Sequence, residues 1–417
     1  MVSAPAHRPA LPAERRILLA DADAFYVAVA RLVDPEGAGR APLLIVGGAA
    51  SGRGVVTSAS YEARAYGVRS AMPMARAVRL CPAATVVAVP WEACAEKSEH
   101  IRAALRGFTP LVERASSDEF YLDMSGTERL YHDEPLAATA RRIRTAVLEA
   151  VGLHVSIGGG TSKLVAKLAA TIAKPRPGVL ADGVHVVAPG AEGDFLRQFT
   201  LADLPLVGPQ FQERLARLGL RTVVDVLACA RPVLNRALGE RDATWLWQRV
   251  RALDPSPVAP REIPQSVSRD ATFPVDLTAD PALVGKLLRL ADRASADLRE
   301  AGLVARTVTV KLRDADFTTR QASRTLPGPV RSDRAVFHVA CDLLQKLRAA
   351  RRVPARLLGV SLSGLLPDDA RTQLALFEAL EQSGVETERD RAIARLIDEL
   401  RGRFGPAALQ RAGLLHP

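Results

Sequence analysis

Apolar residues run unbroken from Ile17 to Ala20 and stop at Asp21. A run that short and dense predicts a buried strand, and the stretch after it predicts a helix to about residue 30. Residues 42–47 and 55–57 read as short strands joined through the turn formers Ser51, Gly52, Arg53 and Gly54. Residues 63–81 read as two short helices broken at Pro73, and 84–89 as a β-branched strand. Residues 93–108 carry Ile101, Leu105 and Phe108 at helical spacing. Residues 112–115 and 120–123 can pair as a hairpin around Asp118 and Glu119. An amphipathic helix spans 136–151, followed by a strand at 155–158 and a helix at 162–173 ended by Pro175. The order strand, helix, strand, strand, helix, strand is that of a ferredoxin-like sheet.

Beyond it the pattern turns helical. Leu204-Pro205-Leu206-Val207-Gly208-Pro209 precedes a helix at 210–218, and a second helix starts at Val223. A proline-bearing linker follows, and then the six-element order recurs at 266–273, 281–301, 307–313, 318–325, 334–348 and 357–365. A last amphipathic helix, 386–404, carries Ile393, Leu396, Ile397 and Leu400.

With 417 residues, 48% of them hydrophobic, the chain has room for several cores. No apolar run approaches the roughly 20 residues of a membrane span. Residues 1–16 are Pro- and Ala-rich without an apolar centre, which predicts a loose leader and not a signal peptide. Cys81, Cys94, Cys229 and Cys341 are scattered without metal-ligand spacing and read as core residues of a reducing cytoplasm. The net charge of +10 points to an anionic partner, nucleic acid being the commonest. Residues 269–356 hold 17 basic against 10 acidic side chains, so that region is the expected contact.

The candidate chemistry lies at two acidic islands. Asp21 and Asp23 end the first strand one residue apart, so on a continuing strand they point the same way. Asp118 and Glu119 sit among strand formers, and adjacent strand residues share one site only near a turn. Burying such acids is costly without a positive partner. Two islands can make one hard-oxygen site for Mg²⁺, an ion that commonly serves phosphate chemistry.

Asp21-Ala22-Asp23-Ala24-Phe25-Tyr26 resembles the first metal motif of the Y-family DNA polymerases, and Ser117-Asp118-Glu119-Phe120-Tyr121-Leu122-Asp123 resembles their second. Between them, Thr57 to Pro73, with Tyr61-Glu62-Ala63-Arg64, is similar to the family's fingers segment. The resemblance covers about 17–365. It implies an α+β right-hand polymerase: a ferredoxin-like palm (17–30 and 86–185), small fingers (31–85) and a helical thumb with a helix-hairpin-helix (186–252). A linker (253–264), an α/β little finger (265–365) and a tail (366–417) complete it. It further implies template-directed, low-fidelity translesion synthesis: transfer of a nucleotide from a dNTP to a primer 3′-hydroxyl with pyrophosphate release. Asp21, Asp118, Glu119 and the carbonyl of Ala22 would hold two Mg²⁺ ions, or Mn²⁺ in their place, about 3.5–4 Å apart. Phe25, Tyr26, Tyr61, Arg64 and Lys167 would meet the dNTP, with Tyr26 as steric gate against ribonucleotides and Asp23 in a supporting role. Val207, Gly208, Arg269, Lys311 and Arg313 would contact primer-template DNA. Gln373-Leu374-Ala375-Leu376-Phe377 resembles the peptide by which bacterial polymerases hold the sliding clamp, with Gln373, Leu374, Leu376 and Phe377 as anchors. A monomer at the bacterial nucleoid, in the cytoplasm and with no membrane contact, is the expected setting.

The chain departs from the family pattern at several points. Leu206 replaces a glycine of the hairpin, Gln265 a lysine, and Ala30 a glutamate. Ser117 and Phe120 replace an aliphatic residue and an alanine. Two other readings stay open at this stage. A nucleotide cyclase could use a similar palm, and a non-catalytic DNA- and clamp-binding adaptor could keep the fold.

Overall fold

The computed structural model describes residues 15–175, 182–260, 263–368, 385–405 and 408–409. It divides into two compact units, Met1–Arg261 and Glu262–Pro417.

The first unit is built on β1 (Ile17–Ala22), all six of whose residues are buried. Helix α1 (Phe25–Val33) follows after one turn. A three-stranded sheet is inserted next, from β2 (Leu44–Gly47), β3 (Val56–Ala59) and β4 (Thr85–Val87) in the order β3-β2-β4. Helices α2 (Tyr61–Ala65) and α3 (Met74–Leu80) lie between its strands, on either side of Pro73. The chain then returns through α4 (Trp91–Arg106), β5 (Val112–Arg114), β6 (Glu119–Asp123), α5 (Leu136–Val151), β7 (Val155–Gly160), α6 (Lys163–Ala173) and β8 (Val184–Val186). The large sheet runs β5-β6-β1-β7-β8, antiparallel except for the parallel pair β7 and β8. Its first four strands have the ferredoxin-like wiring, with β1 paired to both β6 and β7. The fifth strand, β8, has no clear trace in the sequence. It is three residues long, and only its register against β7 makes it a strand.

Gly158 sets the spacing between β7 and α6. A Cβ there would collide with the backbone at Ala166 and Ala170, so only glycine lets the helix lie this close. Helices α7 (Glu192–Arg197), α8 (Pro209–Ala216), α9 (Val223–Ala228), α10 (Arg231–Leu238) and α11 (Glu240–Arg249) then build a second core around Leu215, Val223, Leu234 and Leu246, which Leu164, Val165 and Leu168 of α6 join. Leu201 N–H, ahead of α8, donates at 2.8 Å to the carbonyl of Arg221 in the turn between α8 and α9.

The second unit repeats the element order with different wiring. Strands β9 (Ser266–Leu277), β10 (Leu303–Asp314), β11 (Thr319–Val330) and β12 (Ala355–Pro367) form a fully antiparallel sheet in the order β11-β10-β12-β9. Helices α12 (Asp280–Glu300) and α13 (Asp333–Ala350) cover one face, burying Leu283, Leu287, Val339 and Leu343 against Val308, Val310 and Val360. Among the described residues of this unit no helix covers the other face, which is lined by hydroxyls, with Thr307 bonded to Thr325 at 3.0 Å and Thr309 to Ser323 at 2.9 Å.

The basic excess of this region therefore does not form a stripe on the bare face. Arg324 and Arg348 pair with Asp342 and Asp280 of the helices, and Arg320 and Arg351 clamp the fully buried Asp314. A fully buried carboxylate needs such partners, and the arginines are used up supplying them. The last helix, α14 (Glu388–Phe404), is held to the same layer by Arg334–Asp390, Arg299–Asp398 and Arg401–Asp292. It docks by its polar side, leaving Ile393, Leu396 and Phe404 exposed. Residues 373–377 lie outside the described residues.

Candidate active site

The ladder between β1 and β6 sets Asp21 directly opposite Glu119, and the ladder with β7 sets it opposite Ser156. Asp118 ends the turn before β6, and its carbonyl accepts the Ala22 N–H at 2.9 Å. The two neighbours can therefore serve one site, because the turn removes the alternation a continuous strand would impose. Asp21 is only 6% exposed. Burial pushes its carboxyl up to about 6 against the pull of Lys174, and the nearby Glu119 and Asp118 add to the rise.

Each acid has its own partner. Lys174 Nζ lies 2.7 Å from Asp21 Oδ2, and Lys167 Nζ 2.5 Å from Glu119 Oε2. Ser116 Oγ donates to Asp118 Oδ1 at 2.5 Å. Among the described residues no group of three His, Cys, Asp or Glu side chains is arranged to hold a metal ion as it stands. The donor set nonetheless fits one. It offers hard oxygens from three carboxylates, and a dication would favour the ionised Asp21 that burial disfavours.

Asp23 lies beyond the strand yet keeps to the side of Asp21: its carboxylate meets Ser156, the residue opposite Asp21, and feels the same Lys174. The strand ends at Ala22, and Ala24 takes a left-handed φ of 45° to start α1. Asp23 accepts a hydrogen bond from Ser156 Oγ at 2.7 Å, and its carboxyl is raised chiefly by burial. It lines a cavity of ≈ 690 Å³ with Tyr61, Arg144 and His154.

Tyr61 and Arg64 both lie on α2, as the sequence spacing requires. The guanidinium sits 5.0 Å from the Tyr61 ring centroid while Arg64 Nε donates to the Ala59 carbonyl at 2.9 Å. Burial, together with the charge of Asp23, pushes the Tyr61 hydroxyl up to about 12. Phe25 is buried and packs edge-on against Tyr26, with centroids 5.3 Å apart. Tyr26 in turn meets Trp91 at 6.0 Å, and its hydroxyl bonds Ser117 Oγ at 2.9 Å. Ser117, a departure from the family pattern, is thus the polar partner of the aromatic gate candidate. Ala30 and Phe120 are buried, each in an apolar cluster.

Lys174 and Trp91 have no place in the motif-based expectation. Lys174 could have been found from its position: a cation between the end of α6 and Pro175. Trp91 carries no such signal, because its meeting with Tyr26 is long-range.

The expected DNA contacts are dispersed. Leu206 adopts φ 71°, which explains why glycine suits the position, and it is 82% exposed. Val207 is buried and its N–H is spent on the Leu204 carbonyl at 3.2 Å, whereas Gly208 caps α8. Arg269 differs from expectation: it pairs with Asp297 of α12, because alternation along β9 turns it to the helix side. Lys311 and Arg313 lie on the bare face, where Lys311 pairs with Asp270 and Arg313 Nε donates to Thr319 Oγ1 at 2.8 Å.

The ferredoxin-like sheet thus carries Asp21 and Glu119 side by side, each paired with a lysine of α6 or its C-cap. The chain matches the impB/mucB/samB family model over residues 20–171 and that family's C-terminal domain over 264–376. It is 40% identical to a DNA polymerase IV of Alkalilimnicola ehrlichii over 368 residues, spanning 87% of this chain and 99% of that protein. It is 38% identical to a DNA polymerase IV of Halorhodospira halophila, over 88% of this chain and 99% of that protein. A chimera of the Y-family polymerases Dbh and Dpo4 shares the fold, with a TM-score of 0.74 at 24% identity over 84% of this chain and 99% of that one. A Dbh ternary complex superposes with a TM-score of 0.61 at 25% identity, over 84% and 98%. The chain belongs to the impB/mucB/samB family of Y-family DNA polymerases.

Proposed function

We infer that this protein is a DNA-directed DNA polymerase that performs translesion synthesis, as its DNA polymerase IV relatives and family assignment support. The observation that carries the mechanism is the nearness of Asp21, Asp118 and Glu119 at the adjoining ends of β1 and β6. Those three carboxylates, with the Ala22 carbonyl, would hold two divalent ions, Mg²⁺ fitting their hard oxygens. Bound there, the pair supplies activation of the primer 3′-hydroxyl and stabilisation of departing pyrophosphate.

The chain's own residues do the rest. Lys174 and Lys167 hold the acids in the absence of substrate and become free to meet triphosphate charge. Tyr61 and Arg64 present a hydroxyl and a stacked guanidinium for the same phosphates. Tyr26, steadied by Ser117 and Trp91, sets a ring against the sugar, where a 2′-hydroxyl would clash. The unit from Met1 to Arg261 serves as palm, fingers and thumb, and the sheet of the second unit as the little finger on primer-template DNA. Its hydroxyl-lined bare face suits backbone contacts that carry no sequence preference. Fingers this small enclose the nascent pair loosely, so discrimination by closure is weak.

Gln373 to Phe377 are proposed to hold the sliding clamp, with the protein acting as a monomer in the bacterial cytoplasm at the nucleoid. Among the described residues no helix is long and apolar enough to cross a membrane. A nucleotide cyclase gives no role to the C-terminal family domain at 264–376, and a non-catalytic adaptor none to the assembled carboxylates. Primer extension with Mg²⁺ and dNTPs tests the reading. Asp118→Ala is expected to abolish extension while primer-template binding persists. Extension near the unmodified level would remove Asp118 from the site.

A further inference from the structure

On the bare face of the second sheet, one cross-strand row reads Asp270, Gly359, Lys311, Gln321. Asp270 and Lys311 are two strands apart, yet their side chains form an ion pair. Gly359 makes this possible. A Cβ on it would collide with the Asp270 carboxylate and come within 3.3 Å of Lys311 Cε. In the rows that pair across all four strands, Asp270 is the sole acid on this face. Both partners are about one-third exposed, at 32% and 38%, so the pair is weak and open to competition.

We propose that Asp270 is a built-in competitor for DNA phosphate, which holds Lys311 across the gap left by Gly359 and so limits the grip of this face on DNA. A phosphate that recruits Lys311 must first displace Asp270, whose charge then stays beside the backbone as a like-charge neighbour. One phosphate contact is thereby cancelled, and the enzyme keeps a weaker and less salt-dependent hold than its basic balance suggests. This inference rests on the reading that the bare face meets DNA.

The test is equilibrium binding of the full-length protein to a fluorescent primer-template duplex over a series of NaCl concentrations. Asp270→Asn is expected to tighten Kd by about 3–10-fold at low salt and steepen the slope of log K on log salt by about 0.9, the signature of one added phosphate contact. Adding Lys311→Met to that variant should cancel both gains. Weaker binding by Asp270→Asn would mean that Asp270 orders Lys311 for DNA, and would overturn the proposal. An unchanged slope, or a gain that survives Lys311→Met, would overturn it as well. Loss of the broader reading looks different: Arg313→Met, on the same face and without an acidic partner there, would then leave both Kd and the salt slope of the unmodified protein unchanged. Melting curves of all variants matching the unmodified protein confirm that the differences arise at the surface.

Discussion

Tyr26 shows how one residue gains its meaning from neighbours far away in the chain. Its motif position was legible, but its hydrogen bond to Ser117 and its edge contact with Trp91 were not, since these join segments some 65 to 90 residues apart that only folding brings together. Tyr26→Ala should raise ribonucleotide use relative to deoxynucleotide use in primer extension. An unchanged ratio would remove it from the gate. Ser117→Ala should give a smaller rise in the same assay, because the ring stays but loses its anchor. Leu206 is the converse case. The sequence marked it as a departure, and the structure supplies the physical cost: a left-handed backbone held by a residue with a Cβ, at an order of 1 kcal/mol.

At the scale of elements, periodicity located most helices and strands of the two sheets, because each buries one face against a large core, but it named none of the short helices α7, α10 and α11. The parallel strand β8 escaped for want of a pattern of its own. The partner of α14 also escaped, since its docking side is ionic and its apolar positions mislead. Glu386 is central there. Burial alone would raise its carboxyl, but hydrogen bonds from Ser332, Arg331 and Arg391 more than reverse this and leave it lowered. A lowered carboxyl contributes stability above the ordinary glutamate range and loses it as pH falls through the depressed value. Protection of α14 amides from hydrogen exchange should therefore hold at pH 7 and fall on acidification below about 4. Glu386→Gln should show the reduced protection already at pH 7. Equal protection in both proteins would show that the helix is held otherwise.

For the whole molecule, element order alone could not distinguish the two βαββαβ units. They share an order and differ in wiring, because strand order depends on which strands pair across long separations. Net charge was a similarly coarse guide. It pointed to an anionic partner met by residues 269–356, but many arginines of that region are spent on internal acids. The proposed clamp peptide lies outside the described residues. Alanine at Gln373, Leu376 and Phe377 together should abolish stimulation of extension by the clamp and leave clamp-free extension intact. Loss of both would mean that the segment serves the fold.

The lysines resting on Asp21 and Glu119 have one more consequence. A site that carries its own ammonium groups does not fly apart when stripped of divalent ions. Chelation should silence catalysis while leaving the melting temperature within about a degree, and restoring the ions should revive it without any refolding lag. The enzyme can therefore wait, intact and idle, until nucleotide and metal arrive together.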